Sequence, residues 1–276
     1  MTFSPNLTLS MLRAGTPAVG CWIQLCSPVA TRLMAAQGYP DWMLVDFEHC
    51  PLDFGTAAAM LPTISEVSGR RITPLARVEV GSIDAIKRAL DCGAQGIIAP
   101  MIGTAEQAAD VVRFAKFPPL GVRGAGGLFP HLGHGVDRHT YLRQANEQTL
   151  VGIQIETKEG LDNLDAILDV PGIDLVFVGP NDLHMSLGLG AKFWSDEPAF
   201  VDAIEAITVG CRSRGIALGT LCPDAASAQR RIDDGFTFVG LGSDAHFMLT
   251  FGGMQFAELR GEEKPAVGFC NRVQMR

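Results

Sequence analysis

Eight short apolar runs recur along the chain, at residues 19–25, 42–49, 72–78, 96–102, 151–156, 174–179, 217–222 and 236–242. They are near-continuously apolar rather than alternating, the pattern of parallel strands covered on both faces. Helical patterns separate them. PVATRLMAAQG follows the first run, SIDAIKRALDCG the third, TAEQAADVVRFAKF the fourth, TKEGLDNLDAILDV the fifth and DAASAQRRIDDG the seventh. Ser82 is placed to cap its helix, and Thr104 with Gln107 reads as a capping box. Gly38, Gly93 and Gly235 stand where helices end. Eight such units predict an α/β fold, a closed (β/α)8 TIM barrel. No G-x-G-x-x-G follows the first run, which argues against an open doubly wound sheet. Residues 1–276 read as one domain. An insertion at 118–148 ends in the helical stretch YLRQANEQ, and a polar C-terminal tail covers 262–276.

Composition narrows the function classes. With 47% hydrophobic and 19% charged residues in 276, the chain can bury a large core. Thirty acids against 22 Lys and Arg leave a charge of −8, which speaks against a nucleic-acid partner. No apolar run approaches the ~18 residues of a membrane span, so no membrane partner is expected. The start MTFSPNLTLSMLRAG lacks the basic and apolar regions of a secretory signal. The seven cysteines are odd in number and include no C-x-x-C pair, which points to free thiols in a reducing cytoplasm.

In a barrel of this kind chemistry gathers at the C-terminal strand ends. Asp46, Glu48 and His49 close the second run, Arg77 the third, Gln154 and Glu156 the fifth, and Gly179-Pro180-Asn181-Asp182 the sixth. Each has a plain structural reading: Asp182 as a helix cap, Glu156 as a solvated acid, Arg77 as the rim partner of Glu48, His49 as a structural imidazole. Their convergence is harder to assign to packing, because most of these groups are costly to bury unpaired. Two carboxylates on adjacent strands can share a divalent cation. Oxygen ligands without Cys or paired His favour Mg²⁺ or Mn²⁺, with about four positions left for water and substrate. Of the five lysines (Lys87, Lys116, Lys158, Lys192 and Lys264) only Lys158 is near a strand end, so metal-dependent rather than Schiff-base chemistry is expected.

The segments VDFEHCPLD (45–53), PLARV (74–78), PPLGVRG (118–124), VGIQIET (151–157) and VFVGPNDL (176–183) resemble the HpcH/HpaI aldolase family from about Leu12 to Leu259. The family comprises class II pyruvate aldolases, such as the 2,4-dihydroxyhept-2-ene-1,7-dioate and 2-keto-3-deoxy sugar-acid aldolases. The resemblance implies a divalent cation (Mg²⁺ or Mn²⁺, with Co²⁺ or Zn²⁺ as further candidates) held by Glu156 and Asp182. It implies His49 as acid/base with Asp46 as partner, Arg77 at the keto oxygen, and Trp22 and Gln154 in the pocket. The turn Gly179-Pro180-Asn181, with the amide of Asp182, then binds the carboxylate. Asp46 or Glu48 sets the imidazole tautomer. The implied reaction is reversible cleavage of a 4-hydroxy-2-oxo acid to pyruvate, or a related 2-oxo acid, and an aldehyde. The alternative is an oxaloacetate decarboxylase or macrophomate-synthase-like enzyme using the same enolate. A homo-oligomer is also implied, a hexamer built as a trimer of dimers, with the C-terminal helix exchanged between subunits. Cys50, Leu52, Asn181 and His184 depart from the residues common in the family, on the aldehyde side of the site.

Weaker signals remain outside that pattern. GVRGAGG (121–127) reads as a lid beside the site, with Arg123 either meeting an anionic substrate or anchoring the loop. His131, His134 and His139 have loose metal-like spacing but read more simply as loop or contact residues. Trp194 and the last-helix aromatics Phe247, Phe251 and Phe256 read as interface or core.

Overall fold

In the computed structural model, which describes residues 2–262, all eight apolar runs are strands. They are β1 (Ala18–Ile23), β2 (Trp42–Asp46), β3 (Thr73–Arg77), β4 (Gly96–Ala99), β5 (Leu150–Ile155), β6 (Leu175–Val178), β7 (Ala217–Cys222) and β8 (Phe238–Ser243). Each pairs in parallel with the next, and β8 returns to β1, closing the predicted (β/α)8 barrel. Helix α1 (Leu7–Arg13) precedes β1. Helices α2 (Pro28–Gln37), α3 (Phe54–Val67), α4 (Ile83–Asp91) and α5 (Ala105–Ala115) follow β1 to β4. Short α6 (Pro130–Gly133) and α7 (Arg138–Gln148) occupy the insertion. Next come α8 (Lys158–Asp162) and α9 (Leu164–Leu168) after β5, α10 (Pro180–Ser186) and α11 (Pro198–Arg214) after β6, α12 (Ala225–Asp233) after β7, and α13 (Asp244–Arg260) after β8. The expected polar tail, apart from Glu262, and Cys270 lie outside the described residues.

The predicted caps form. Ser82 accepts the amide of Ala85, and Thr104 and Gln107 make the reciprocal capping box. The helix expected over TKEGLDNLDAILDV is broken in two at Asn163, whose side-chain amide turns away to the carbonyl of Gly103 at 2.8 Å. The second apolar run stops being a strand at Asp46. There the amide of Glu48 takes the Asp46 carboxylate (3.1 Å) instead of a neighbouring strand. Among the described residues no helix is long and apolar enough to cross a membrane.

Alternation along the strands separates two cores. One parity faces the helices: Met43, Val45, Ala76, Ile97, Ile153, Val176 and their neighbours form the layer between strands and helices. The other parity faces the barrel axis, where Trp22, Trp42, Leu44, Leu75, Ile98, Leu175, Phe177 and Phe238 fill the interior. Trp42 stacks on Phe238 at 4.0 Å. A Cβ at Gly20 would lie 2.2 Å from the Trp42 ring and carbonyl, so the wide indole requires glycine on the adjoining strand. The N-terminal end is sealed by α1, whose Leu9 and Leu12 join the interior core. Asn6 beside it reaches the carbonyls of Gln95 and Gln148.

The insertion corrects one expectation. Residues 118–148 join α5 to β5, and such a connection returns the chain to the N-terminal end of the barrel. The glycine-rich 121–127 segment is therefore at the sealed end and is not a lid beside the site. Arg123 anchors it. Its guanidinium is 2% exposed, donates to Tyr141 Oη (3.1 Å) and Asp91 Oδ1 (3.0 Å), and packs over Phe117 at 4.6 Å. His134 is buried against Phe3, with Nδ1 2.7 Å from the carbonyl of Ser4, and burial pushes its pKa down. Among the described residues no three His, Cys, Asp or Glu side chains group as a metal site, His131, His134 and His139 included. Replacing Arg123 by Met should lower stability by about 1.5–3 kcal/mol, the worth of hydrogen bonds to a charged group. Thermal melts measure this, and substrate KM should stay unchanged because the barrel separates the two ends.

Candidate active site

The interior parity that holds Leu44 and Leu75 lower in the barrel puts Asp46 and Arg77 one rung higher, and register pairs these two residues directly across β2 and β3. Arg77 grips Asp46 with two parallel hydrogen bonds, Nε to Oδ1 at 2.9 Å and Nη2 to Oδ2 at 2.7 Å. Its Nη1 meets Glu48 Oε2 at 3.0 Å, and the guanidinium packs over the Trp22 ring at 4.3 Å. Two of its five N–H groups are thus hydrogen-bonded, the Glu48 contact is an ion pair, and Arg77 lines the cavity. Asp46 is fully buried. Burial by itself would raise its pKa, but Arg77, Gln24 and the Glu48 amide outweigh that and hold the carboxyl below its usual value. Burial raises Glu48, against the pull of Arg77 and His49.

His49 is exposed at the cavity rim, its Nε2 3.7 Å from Glu48 Oε2. The expected Asp46–His49 partnership does not form. Asp46 is saturated by Arg77, the Glu48 amide and Gln24, and Glu48 is the carboxylate that His49 faces.

Glu156, just past β5, is 2% exposed. Its Oε1 accepts the amide of Met101 at 2.8 Å and its Oε2 the side-chain amide of Gln154 at 2.6 Å. Burial raises its pKa to about 7; the Met101 amide opposes the shift, and the charges of Asp182 and Glu48 add to it. Gly179 is what admits this carboxylate, since a Cβ there would lie 2.0 Å from Oε2. Asp182 is exposed in the first turn of α10, not at its cap. That helix starts at Gly179 without a side-chain cap, and Pro180 has no amide hydrogen.

These strand ends enclose a cavity of about 330 Å³. Trp22, His49, Arg77, Gln154, Gly179, Pro180, Asn181 and Asp182 lie on its wall, as the sequence suggested. Asp46, Glu48 and Glu156 stand behind the wall, bonded or paired to Arg77, His49 and Gln154. Gln154 Oε1 and Trp22 Nε1 are buried without a hydrogen-bond partner in the protein. Gln154 Nε2 is committed to a carboxylate, which leaves Oε1 as the acceptor of a residue that lines the cavity.

Sequence reasoning missed several wall residues. Gln24 was absorbed into the first apolar run, although a polar residue ending such a run is the signal that marked Arg77. β1 stops at Ile23; Gln24 Nε2 then reaches Asp46 Oδ2 (3.3 Å), and its amide is held by buried Asp244 (2.8 Å). Met101 takes a positive φ of 57° to aim its amide at Glu156, a strained conformation that its residue type does not announce. Phe177, Phe193 and Leu221 supply the apolar wall. Lys158 is on the exposed surface, paired with Asp162 at 2.7 Å, and does not line the cavity.

Residues 18–250 match the family described as HpcH/HpaI aldolase/citrate lyase. A hydroxypyruvate/pyruvate aldolase of Roseovarius nubinhibens is 37% identical over 240 residues, covering 87% of this chain and 91% of the relative. A 4-hydroxy-2-oxo-heptane-1,7-dioate aldolase of Salmonella arizonae is 36% identical over 263 residues, covering 95% and 97%. The crystal structure of an HpcH/HpaI aldolase/citrate lyase family protein from Burkholderia cenocepacia superposes with a TM-score of 0.85 at 32% identity, covering 92% of this chain and 99% of that one. With the family pattern spanning the whole barrel and relatives this similar along most of their length, the chain belongs to the HpcH/HpaI aldolase/citrate lyase family, and it is a lyase of the aldolase kind.

Proposed function

We propose that this single-domain barrel is a divalent-cation-dependent aldolase that cleaves 4-hydroxy-2-oxo acids to pyruvate, or a related 2-oxo acid, and an aldehyde. One observation supports the reading above the others: Glu156, buried just behind the cavity wall, feels the charge of Asp182 on that wall, and Arg77 lines the same cavity. Relatives at 36–37% identity named for the same reaction class support it.

The donor set fits a hard cation. Both side chains offer oxygen, and each Glu156 oxygen has one hydrogen bond and a second lone pair to give. Their mutual repulsion is relieved by positive charge. The set suits Mg²⁺ or Mn²⁺, with Co²⁺ or Zn²⁺ as substitutes. When bound, the ion would supply Lewis-acid polarisation of the keto group.

The chain's own residues do the rest. The substrate carboxylate takes the amides of Asn181 and Asp182 in the uncapped turn after Gly179. Arg77, held rigid by Asp46 and Trp22, presents its remaining N–H groups to the oxygen on which negative charge grows. His49 takes the proton from the 4-hydroxyl as the carbon–carbon bond breaks, Glu48 steadies the charged ring, and the proton is then given, directly or through water, to the enolate carbon that becomes the pyruvate methyl group. Run backward, His49 returns that proton to the aldehyde oxygen. Met248, Leu249, Phe251, Phe256 and Leu259 on α13 are 54–83% exposed, and this apolar face supports assembly as a homo-oligomer through the last helix.

Glu156→Gln should retain the fold but weaken Mg²⁺ or Mn²⁺ binding and reduce kcat by about 10²-fold or more. Calorimetric titration of the cation and steady-state assays measure the two effects, and full activity in this variant would refute the site. Gly179→Ala should produce the same loss by pushing the carboxylate aside. The pH dependence follows from Glu156. An unfolded chain ionises this carboxyl near 4.5 and the folded protein near 7, so metal-free stability falls as pH rises between the two values. A bound cation favours the ionised form, so stabilisation by Mg²⁺ should grow over that same window. Melts with Mg²⁺ and with EDTA, at about pH 5 and about pH 8, check both signs.

A further inference from the structure

We infer that the connection between α10 and α11, residues 187–197, sets which aldehyde the enzyme accepts, with Phe193 as the specificity-determining side chain and the His184–Ser195 hydrogen bond as the strap that positions it. The inference rests on the aldolase reading. A cavity of about 330 Å³ is far larger than a three-carbon acid requires, and its polar groups are spoken for by that acid. What remains is an apolar wall of Phe193, Phe177 and Leu221, drawn from three different elements. Phe193 is the one of the three that lies on a loop.

That loop has little freedom. It leaves α10 through Gly188 (φ +76°) and Gly190 (φ +72°), two left-handed turns that other residues resist. Trp194 then drives into the barrel's outer layer. Its ring meets Phe200 edge-on at 5.4 Å and Phe236 at 5.9 Å, and the Arg231 guanidinium lies 4.0 Å over its face. Phe193, its neighbour, is left on the cavity side.

Ser195 completes the clamp. His184 is fully buried and stacked on Phe200 at 3.8 Å. Its Nδ1 is 2.7 Å from the carbonyl of Pro180, which can only accept, so Nδ1 carries the proton. Nε2 is then an acceptor, and it takes the Ser195 hydroxyl at 2.8 Å; Ser195 Oγ in turn accepts the amide of Glu197 at 3.3 Å. The strap thus ties the Phe193 loop to the helix whose first turn carries Asn181 and Asp182. A wall held rigidly against the reacting end rejects acceptors by size. A single methylene of misfit in such a pocket is worth about 10-fold or more in kcat/KM.

Two readouts keep this inference separate from the aldolase reading. Exchange of the pyruvate methyl protons with D2O reports the enolate half without any aldehyde. Carbon–carbon bond formation with acetaldehyde, propanal and isobutyraldehyde reports the acceptor half. In Phe193→Ala, kcat/KM for isobutyraldehyde relative to acetaldehyde should rise by about 10-fold or more. Ser195→Ala should shift that ratio the same way by less, through the aldehyde KM, with pyruvate exchange at the wild-type rate. If the wild-type protein exchanges no protons with any divalent cation, the aldolase reading fails and takes this inference with it. If exchange is intact but Phe193→Ala changes all three aldehydes by one common factor, the loop assignment is wrong. It is equally wrong if Ser195→Ala slows exchange and addition together.

Discussion

Carboxylates outnumber guanidinium groups at the mouth of this barrel, where Asp46, Glu48, Glu156 and Asp182 share Arg77, and that imbalance of charge governs the site. Asp46 and Glu48 together occupy Arg77, while buried Glu156 feels the charge of Asp182. Burial is what chiefly raises the pKa of Glu156, and the charges of Asp182 and Glu48 add to it. A protein can relieve such a site by protonation or by positive charge. In the proposed reading, the arrangement that makes the carboxylate reluctant to ionise unaided is what a cation would relieve. The surrounding structure exists to hold this state: Gly179 clears the space, Met101 accepts backbone strain to donate its amide, and Gln154 commits its amide to the second oxygen.

The two ends of the barrel divide the work. The N-terminal end is closed by α1, Asn6 and the long insertion, and several of its buried polar side chains bond to backbone carbonyls or to one another. Lys116, for instance, donates to the carbonyls of Asn146 and Thr149. The opposite end holds the cavity. Gln154 Oε1 and Trp22 Nε1 are buried there without protein partners, on residues that line the cavity. Rigidity also differs in origin across the mouth: Arg77 and Asp46 are set by strand register, whereas Phe193 is set by a loop that has to be strapped down.

Much of this was legible in the residues. Parallel strands buried on both faces leave near-continuous apolar runs, and all eight were visible. The strand-end positions of Asp46, Arg77, Gln154, Glu156 and Asp182 could be read because polar residues at the ends of apolar runs stand out. Gln24 stands out in the same way and was passed over. The insertion was visible as extra chain, but its end of the barrel follows from connectivity: a segment leading from helix to strand returns to the closed end, whatever its glycines suggest. Asn163 broke a helix that local propensity favours because a carbonyl of Gly103 lay within its reach.

The sequence by itself determined the number and type of elements, their order, and the roster of charged groups, because those follow from local periodicity and residue chemistry. Only the tertiary structure decided which charges pair. Asp46 and Glu48 are two residues apart and chemically alike, yet Asp46 takes the two-pronged bond of Arg77 across the strand register, whereas Glu48 lies between Arg77 and His49. It also decided that Met101 serves through its backbone and that Phe193 points into the cavity. A backbone amide carries no residue signature, and the direction of a loop side chain depends on neighbours such as Phe200 and Phe236 that are remote in the chain but adjacent in space.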